Sequence, residues 1–266
     1  MQDVLPFQPN RFHTAALHYR AGRSPYPPSL IRRVAGIVPL SGRERVLDLG
    51  CGPGPLAVGF GYFAAEVIGI DPEPAMLAAA EQAAQGLVPN VRFRQGSSYD
   101  LGPEIGRFRL VTMGRSFHWM DRAATLRQLD ELIEPGGAIT LFKNSHLRIP
   151  ENAWVAEWRA VIDPYGARDA HHAALRAEGR VPHETILLAS PFSELESVSV
   201  IGRQVVTAES LIDRTLSMSS TSREKLGDAA NELVEKLRAL FERLAPDGSL
   251  TEVMAWTALM ARRPSA

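Results

Sequence analysis

Residues 46–57 read VLDLGCGPGPLA, and this stretch decides the fold. A short apolar run leads into Gly50, Gly52 and Gly54, and an apolar pattern of helical period follows. A buried strand that passes through glycines into a helix exposes bare backbone to a ligand. A tight strand-to-helix turn with no ligand explains the same residues, so the loop alone leaves both interpretations open.

The segments after this loop alternate between strand and helix patterns as far as residue 143. Helical patterns separate short apolar strand patterns at 45–49, 66–71, 90–96, 108–114 and 138–143. Such alternation is typical of βαβ units in a mainly parallel sheet. Beyond it, residues 151–180 are predicted to be helical, and strand patterns at 195–206 and 251–261 flank a helix predicted at 223–245. These last two strands are predicted to form an antiparallel pair at the sheet edge.

The fold class predicted from these patterns is α/β. We expect a doubly wound, mainly parallel seven-stranded sheet with helices on both faces, plus a helical cap. The predicted segments are an N-terminal helical cap segment (1–40), a Rossmann-like core (41–149), a helical cap insertion (150–190) and a sheet-completing segment (191–266). The apolar stripes of helices near 28–38 and 154–162 are expected to pack together as a mobile lid over the ligand cleft.

Composition excludes several classes of protein. The chain has 266 residues, 29 Lys and Arg against 30 Asp and Glu, 45% hydrophobic residues and 22% charged residues. These values are typical of a globular protein and exclude a disordered, collagen-like or coiled-coil chain. The near-zero net charge supplies no general attraction to nucleic acid or to an acidic membrane, so neither partner is expected. We expect a cytoplasmic protein, because the N-terminus lacks a signal-peptide pattern and the single cysteine forms no intrachain disulfide.

Two ligands compete for the glycine loop. GPGPLA, residues 52–57, satisfies the G-x-G-x-x-A pattern of dinucleotide sites. Asp48 opposes that interpretation, because a carboxylate about 4 Å from a pyrophosphate costs on the order of 4 kcal/mol at an effective dielectric constant of about 20. S-adenosylmethionine instead brings an ammonium and a sulfonium. Asp71, at the end of the next strand, can accept hydrogen bonds from ribose hydroxyls or cap the following helix.

Together these segments resemble the Rossmann-like S-adenosylmethionine-dependent methyltransferases. VLDLGCGPG resembles their first motif, and VIGIDPEPAML resembles their acidic second-strand motif. RLVTMGRSFHWMD is similar to the fourth strand and the His-Trp signature of small-molecule members, including the trans-aconitate methyltransferase group. The resemblance covers about residues 11–145. Tyr99 and Arg109 depart from the pattern, since acidic residues are usual at both positions.

The resemblance implies S-adenosylmethionine as cofactor and suggests the residues that bind it. It places the Gly50 carbonyl on the cofactor's amino group with Asp48 nearby, Asp71 on the ribose, and Ser97 and the Ser98 backbone on the adenine. The full predicted set is Tyr19, Arg23, Asp48, Gly50, Cys51, Gly52, Asp71, Pro72, Met76, Ser97, Ser98 and Arg115.

The expected activity is methyl transfer to a small organic molecule, with O-methylation favoured and N- or C-methylation as further options. His118 is the candidate general base or else part of the pocket wall, and His146 is a weaker rival. The predicted acceptor pocket comprises Tyr26, Trp119, His146, Trp154 and Trp158. No metal ligands are predicted. A nicotinamide-dependent oxidoreductase and a catalytically silent cofactor-binding regulator are the alternatives, and the acceptor and the oligomeric state are left undecided.

Overall fold

A computed structural model describes residues 15–167, 173 and 179–265 of the chain. Its sheet has seven strands in the order β3-β2-β1-β4-β5-β7-β6. The strands are β1 (Arg45–Leu49), β2 (Glu66–Asp71), β3 (Val91–Gln95), β4 (Phe108–Gly114), β5 (Ile133–His146), β6 (Glu194–Val206) and β7 (Leu250–Arg262). Strands β1 to β5 are parallel, and β7 is antiparallel to both β5 and β6. The predicted sheet and its antiparallel edge are confirmed.

Helices cover both faces of this sheet. They are α1 (Ala15–Gly22), α2 (Pro28–Ile37), α3 (Pro55–Gly61), α4 (Pro74–Ala84), α5 (Arg122–Leu132), α6 (Trp154–Gly166), α7 (His183–Leu188), α8 (Ala208–Leu216), α9 (Arg223–Leu226) and α10 (Ala229–Leu244). α2 and α3 bury Leu30 and Phe60 against one face, whereas α5 and α7 bury Leu129 and Leu187 against the other. Within the described residues, no helix is long and apolar enough to cross a bilayer.

β5 is longer than the strand pattern at 138–143 predicts. It begins at Ile133, directly after α5 ends at Leu132, and it continues to His146. The pairing register between β4 and β5 shifts between Phe108 and Leu110, so the segment that contains Pro135 bulges out of the ladder. A bulge tolerates proline because the missing N–H is not needed there.

The C-terminal helices also differ from the prediction. α8 was missed, although Thr207 and Ser210 form a capping box in which each side chain accepts a hydrogen bond from the other's backbone N–H. The single helix predicted at 223–245 is two helices, α9 and α10. Gly227 lies between them with φ +55°, a left-handed conformation that interrupts a right-handed helix.

The apolar stripe of α6 packs against α8 and α10, and not against α2. Trp158 and Ile162 of α6 share a hydrophobic cluster with Leu211 of α8 and Leu237 of α10. The predicted pairing of α2 with α6 is therefore wrong, because the sheet itself takes up the apolar stripe of α2. α1 packs on α8, with Gly22 against the Arg214 backbone. We call α1, α6, α8 and α10 the helical layer.

Candidate functional site

The glycine loop, residues 50–54, follows β1 at the carboxyl edge of the sheet. Gly50, Gly52 and Gly54 have φ values of +68°, +55° and +76°. A Cβ atom on Gly50 would lie 2.5 Å from the Ser116 Cβ, which rules out any side chain there. Around Gly52, by contrast, no atom of the described residues lies within 4 Å of such a Cβ. The backbone at Gly52 therefore faces open space in which a ligand can lie.

Asp71 ties the end of β2 to this loop. Its Oδ2 accepts a hydrogen bond of 2.8 Å from the Gly52 N–H, and its Oδ1 accepts one of 2.9 Å from the Glu73 N–H. Burial raises the pKa of this carboxyl group, and the two backbone N–H groups oppose the rise. A carboxylate has about four lone-pair sites, so both oxygens retain acceptor capacity. Asp71 does not cap α4, because the helix begins at Pro74 with Glu73 as its N-cap residue. The remaining role from the sequence is that of a candidate ligand for hydroxyl groups.

Asp48 lies under the loop and does not face the open space. Its side chain is 1% exposed. Oδ1 accepts a 2.8 Å hydrogen bond from the Thr112 hydroxyl, and Oδ2 accepts a 3.1 Å bond from the Ala57 N–H in the first turn of α3. This corrects the expectation that Asp48 meets the ligand directly. Its carboxyl group instead accepts a hydrogen bond from an N–H group in the first turn of α3. In a dinucleotide site, such N–H groups at a helix N-terminus bind the pyrophosphate.

The buried position of Asp48 predicts a specific pH dependence of stability. Burial raises the pKa of Asp48 to about 7, against about 3.9 for an unfolded aspartate. Between pH 4 and 7 the unfolded chain loses this proton while the folded chain keeps it. Folding stability therefore falls as the pH rises, by up to about 4 kcal/mol from this group. Asp48→Asn should match the wild type at pH 4 and exceed its free energy of unfolding at pH 8, as measured by urea unfolding.

Asp100 provides the control for this measurement. Hydrogen bonds from Ser97 lower the pKa of this exposed carboxyl group, so its contribution to stability is lost as the pH falls. Asp100→Asn should thus lose stability at pH 8, the opposite of the Asp48 variant. A wild-type stability that does not fall between pH 4 and 7 relative to Asp48→Asn would contradict the prediction.

A second group of predicted residues assembles around Arg115, which follows β4. The Arg115 Nη2 donates a 2.9 Å hydrogen bond to the Tyr19 hydroxyl, and its guanidinium lies 5.6 Å from the ring centroids of both Tyr19 and Tyr26. Arg23 donates to the Ser217 carbonyl at 3.2 Å. The segment 19–26 therefore packs on the loop after β4. Tyr19, Arg23 and Arg115 belong to one predicted cofactor-binding set, and the structure brings these three residues together.

Arg23 and Arg115 have no carboxylate partner among the residues that the structure describes. Among the described residues, neither Arg23 nor Arg115 forms an ion pair, and both Nε atoms and the Tyr26 hydroxyl are buried with no hydrogen-bond partner. Burial and the neighbouring Arg115 lower the pKa of Arg23 to about 10, so it stays charged at neutral pH. Half-buried charges without a partner are costly, and an anionic ligand group would satisfy them.

His118 and Trp119 lie in a short 3₁₀ turn after β4, with ring centroids 4.9 Å apart. On its other side His118 stacks on His183 of α7 at 6.5 Å. Burial has the largest effect on His118 and lowers its pKa to about 3, and the positive charges of His183 and Arg180 act in the same direction. Sequence reasoning missed His183, because it belongs to no motif and is distant along the chain.

Trp154 and Trp158 do not line an open pocket. Both are buried in the helical layer, and their indole N–H groups donate at 3.0 Å to the Thr251 carbonyl and the Thr215 hydroxyl. Their predicted place in the acceptor pocket is corrected accordingly, since the apolar stripe of α6 needed the core of this layer. His146 lies beside both rings, with centroid distances of 6.1 and 6.2 Å.

The remaining predicted residues follow β1, β2 and β3 at the same sheet edge. Cys51, Met76 and Ser98 are buried. The Pro72 carbonyl accepts from Gln95, and Ser97 bonds to Asp100. Among the described residues, no group of three or more metal-ligating side chains occurs. The edge thus combines an open glycine loop, a carboxylate and two unpaired guanidinium groups.

Known proteins share both the sequence pattern and the fold. Residues 46–137, from β1 into β5, match the family described as "Methyltransferase domain". An uncharacterized methyltransferase of Mycobacterium tuberculosis is 27% identical over 241 residues, which span 90% of each chain. Residues 46–137 of the chain are therefore a methyltransferase domain. A trans-aconitate 2-methyltransferase of Methylobacterium nodulans is 34% identical to this methyltransferase over 143 residues, 52% of this chain and 53% of that protein.

A solved structure has a similar fold. It is that of a SAM-dependent methyltransferase from Thiobacillus denitrificans in complex with S-adenosyl-L-homocysteine. The TM-score is 0.54 at 16% identity, with 98% of this chain and 100% of that chain covered. At that identity the likeness shows the fold alone.

Proposed function

We propose that this methyltransferase transfers the methyl group of S-adenosylmethionine to a small organic acceptor, with oxygen preferred over nitrogen and carbon as the atom methylated. One observation carries the proposal: Asp71 lies at the same sheet edge as Arg23 and Arg115, whose guanidinium groups form no ion pair with the described residues. S-adenosylmethionine matches these groups. Its ribose diol can donate hydrogen bonds to the Asp71 carboxylate, and its amino-acid carboxylate can accept hydrogen bonds from the two guanidinium groups. A dinucleotide fits less well, because Asp48 already holds the Ala57 N–H at the start of α3.

The residues of this chain divide the binding of the cofactor among them. We propose that Asp71 accepts the ribose hydroxyls, that Arg115 and Arg23 with Tyr19 hold the carboxylate, and that the Gly50 carbonyl accepts from the ammonium group. The adenine then lies among Pro72, Met76, Ser97 and Ser98, with Cys51 and Gly52 contributing backbone. When bound, the cofactor supplies an electrophilic methyl group. The chain supplies position, which accounts for much of the rate of an in-line displacement.

The cover over the site supports the proposal of a small acceptor. α6 and the segment before it contact the start of β7, where Asn152 donates to the Val253 carbonyl at 2.8 Å and Trp154 to the Thr251 carbonyl. Tyr26 packs edge-on against Phe142 of β5 at 5.4 Å. The helical layer and the segment 19–26 therefore cover the carboxyl end of β5 and the adjoining start of β7, and such a cover favours a small molecule over a polymer.

The expected cofactor contacts can be tested by calorimetry. S-adenosylhomocysteine should bind, and NADH should not. Arg115→Met removes charge-assisted hydrogen bonds worth about 1.5–3 kcal/mol, so the affinity for S-adenosylhomocysteine should fall roughly 10- to 100-fold. The affinity for 5′-methylthioadenosine, which lacks the carboxylate, should stay unchanged.

Arg45→Met is the matched control for this experiment. Arg45 lies at the opposite end of β1, with its guanidinium 4.8 Å from the Phe108 ring and paired with Glu66. Its loss should leave both affinities intact. Equal weakening of both ligands in Arg115→Met would contradict the carboxylate contact, and binding of NADH would contradict the choice of cofactor. Labelled methyl transfer to a panel of small hydroxyl, amine and carbon acids then identifies the acceptor class.

A further inference from the structure

A buried polar cluster lies where β5 extends beyond its parallel neighbour. Phe142 is the last residue of β5 that pairs with β4, and the strand continues to His146 against β7. Alternate side chains share a face, so His146 lies on the face that carries Phe142, about 13 Å farther along the strand. Tyr26 packs on that Phe142 ring. His146 thus lies beyond the end of β4, on the sheet face against which Tyr26 packs.

Glu252 of β7 holds the imidazole of His146. Its Oε1 is hydrogen-bonded to the His146 Nε2, and the carboxylate is fully buried. Arg214 of α8 donates to both oxygens, at 2.9 Å for Nη2 to Oε2, and Gln204 of β6 donates to Oε2. Burial opposes ionisation, but the hydrogen bonds from His146 and Arg214 lower the pKa of Glu252 to about 2. The carboxylate is therefore ionised at any working pH.

An ionised carboxylate can only accept, and this sets the tautomer of the histidine. Nε2 must carry the hydrogen that Glu252 accepts, so the lone pair of the neutral ring lies on Nδ1. No described residue is hydrogen-bonded to Nδ1. The rings of Trp154 and Trp158 stand edge-on to the imidazole, at 86° and 66°, and restrict its orientation. The side chain is 17% exposed, so the ring is held firmly without being sealed off.

The cluster is hydrogen-bonded to the segment that carries Arg23. The Gln204 amide donates at 2.6 Å to the Ser24 hydroxyl, and the Arg214 Nε donates at 3.2 Å to the Gly22 carbonyl. Ser24 and Gly22 flank Arg23, and the same segment carries Tyr19 and Tyr26. The cluster therefore lies beside the segment that is proposed to hold the carboxylate of the cofactor.

We propose that His146 is the catalytic residue that accepts the proton of the acceptor's hydroxyl, with Glu252 and Arg214 as positioning residues. This proposal rests on the proposed function. The acceptor oxygen forms its bond to the methyl carbon while the carbon–sulfur bond breaks and leaves its electron pair on sulfur. The hydroxyl proton moves to Nδ1, so the positive charge lost by sulfur appears on the imidazolium. The proton passes to solvent when the product leaves.

The charges around the two histidines favour His146 over His118 as the base. The imidazolium of His146 would lie against the Glu252 carboxylate, which stabilises it. That of His118 would lie beside His183 and Arg180, and its pKa of about 3 makes it a weak base. A general base works best when its pKa is near the working pH. His118 therefore fits the wall of the pocket better than the proton acceptor that the sequence suggested.

Nitrogen NMR tests the geometry without any turnover. In protein labelled with ¹⁵N-histidine, His146→Gln assigns the His146 signals, and they should show a protonated Nε2 and a bare Nδ1 near pH 8. A protonated Nδ1 overturns the proposal, because the ring would then have no free basic nitrogen for the acceptor. His18→Gln is the control, since His18 makes a similar pair with Asp213 at 2.7 Å between α1 and α8. It should leave the His146 signals in place.

A series of substituted phenols with S-adenosylmethionine tests the chemistry. His146→Gln keeps an amide donor for Glu252 but has no base, so kcat for a phenol of pKa about 10 should fall by about 100-fold or more. For a nitrophenol already ionised at the assay pH the loss should be under about tenfold. His118→Gln and His18→Gln should show no such dependence on phenol acidity. An equal loss across the series, or none, overturns the proposal.

The two proposals fail in distinguishable ways. If S-adenosylhomocysteine does not bind the wild type, the proposed function fails, whatever the state of His146. If it binds and phenols are methylated at rates insensitive to His146→Gln, the proposed function stands and the role of His146 falls. If it binds and no phenol is methylated, the nitrogen spectra decide the proposal: a bare Nδ1 supports it and a protonated Nδ1 overturns it.

Discussion

Asp71→Ala is expected to weaken the binding of S-adenosylhomocysteine by at least about 100-fold. The carboxylate holds the Gly52 and Glu73 N–H groups and is proposed to accept the ribose hydroxyls as well. Hydrogen bonds to a charged group contribute about 1.5–3 kcal/mol each, so losing two of them already reaches that factor. Isothermal titration calorimetry on the purified variant measures the effect.

A second aspartate separates the loss of backbone hydrogen bonds from the loss of ligand contacts. Asp121 accepts a 2.9 Å hydrogen bond from the Ala124 N–H at the start of α5 and has no proposed contact with the cofactor. Asp121→Ala should cost about 1 kcal/mol of stability and leave cofactor affinity unchanged. Wild-type affinity in Asp71→Ala would refute the ribose assignment and the role of Asp71 in shaping the loop.

Gly50→Ala is expected to destabilise the protein by about 2–5 kcal/mol and to abolish cofactor binding. A left-handed conformation costs an alanine roughly 1–2 kcal/mol, and overpacking adds about 1–3 kcal/mol. The new Cβ would lie 2.5 Å from the Ser116 Cβ, and Ser116 is itself anchored by a 2.7 Å hydrogen bond to the Leu49 carbonyl. The loop or the turn after β4 must therefore shift.

Gly86→Ala isolates the conformational part of this cost. Gly86 has φ +73°, close to that of Gly50, but none of the described residues would lie within 4 Å of its Cβ. The variant should lose only about 1–2 kcal/mol and should keep its cofactor affinity. Chemical unfolding of both variants gives the difference. If the two lose the same stability, the close approach to Ser116 has no energetic consequence.

Local signals in the sequence predicted much of the fold. Prolines mark the first turns of α2, α3 and α4, and their placement follows from the free N–H groups at a helix start. The apolar strand patterns at 45–49 and 108–114 coincide with β1 and β4. Asp71 could be singled out because the end of a strand beside a glycine loop is a defined place in an α/β sheet.

Other features depend on partners that are far apart along the chain. β5 reaches His146 because β7 pairs with it along the extension, a contact that no local pattern in 133–146 announces. Glu252 and Arg214 form a buried ion pair across two elements, and each alone reads as an ordinary charged residue. His183 meets His118 only because α7 packs below the turn after β4.

The sequence by itself determined the order of strands and helices, the glycine loop, and the carboxylate beside it, because period, turn chemistry and position within a βαβ unit are local properties. Only the tertiary structure decided where the polar groups point. It turned Asp48 inward to Thr112 and the start of α3 and enclosed Trp154 and Trp158 in the helical layer. It also left Arg23 and Arg115 without a counter-charge from the part of the chain that the structure describes. The physical reason is that burial and pairing of charge depend on neighbours brought together by packing, which the local pattern of a single chain does not encode.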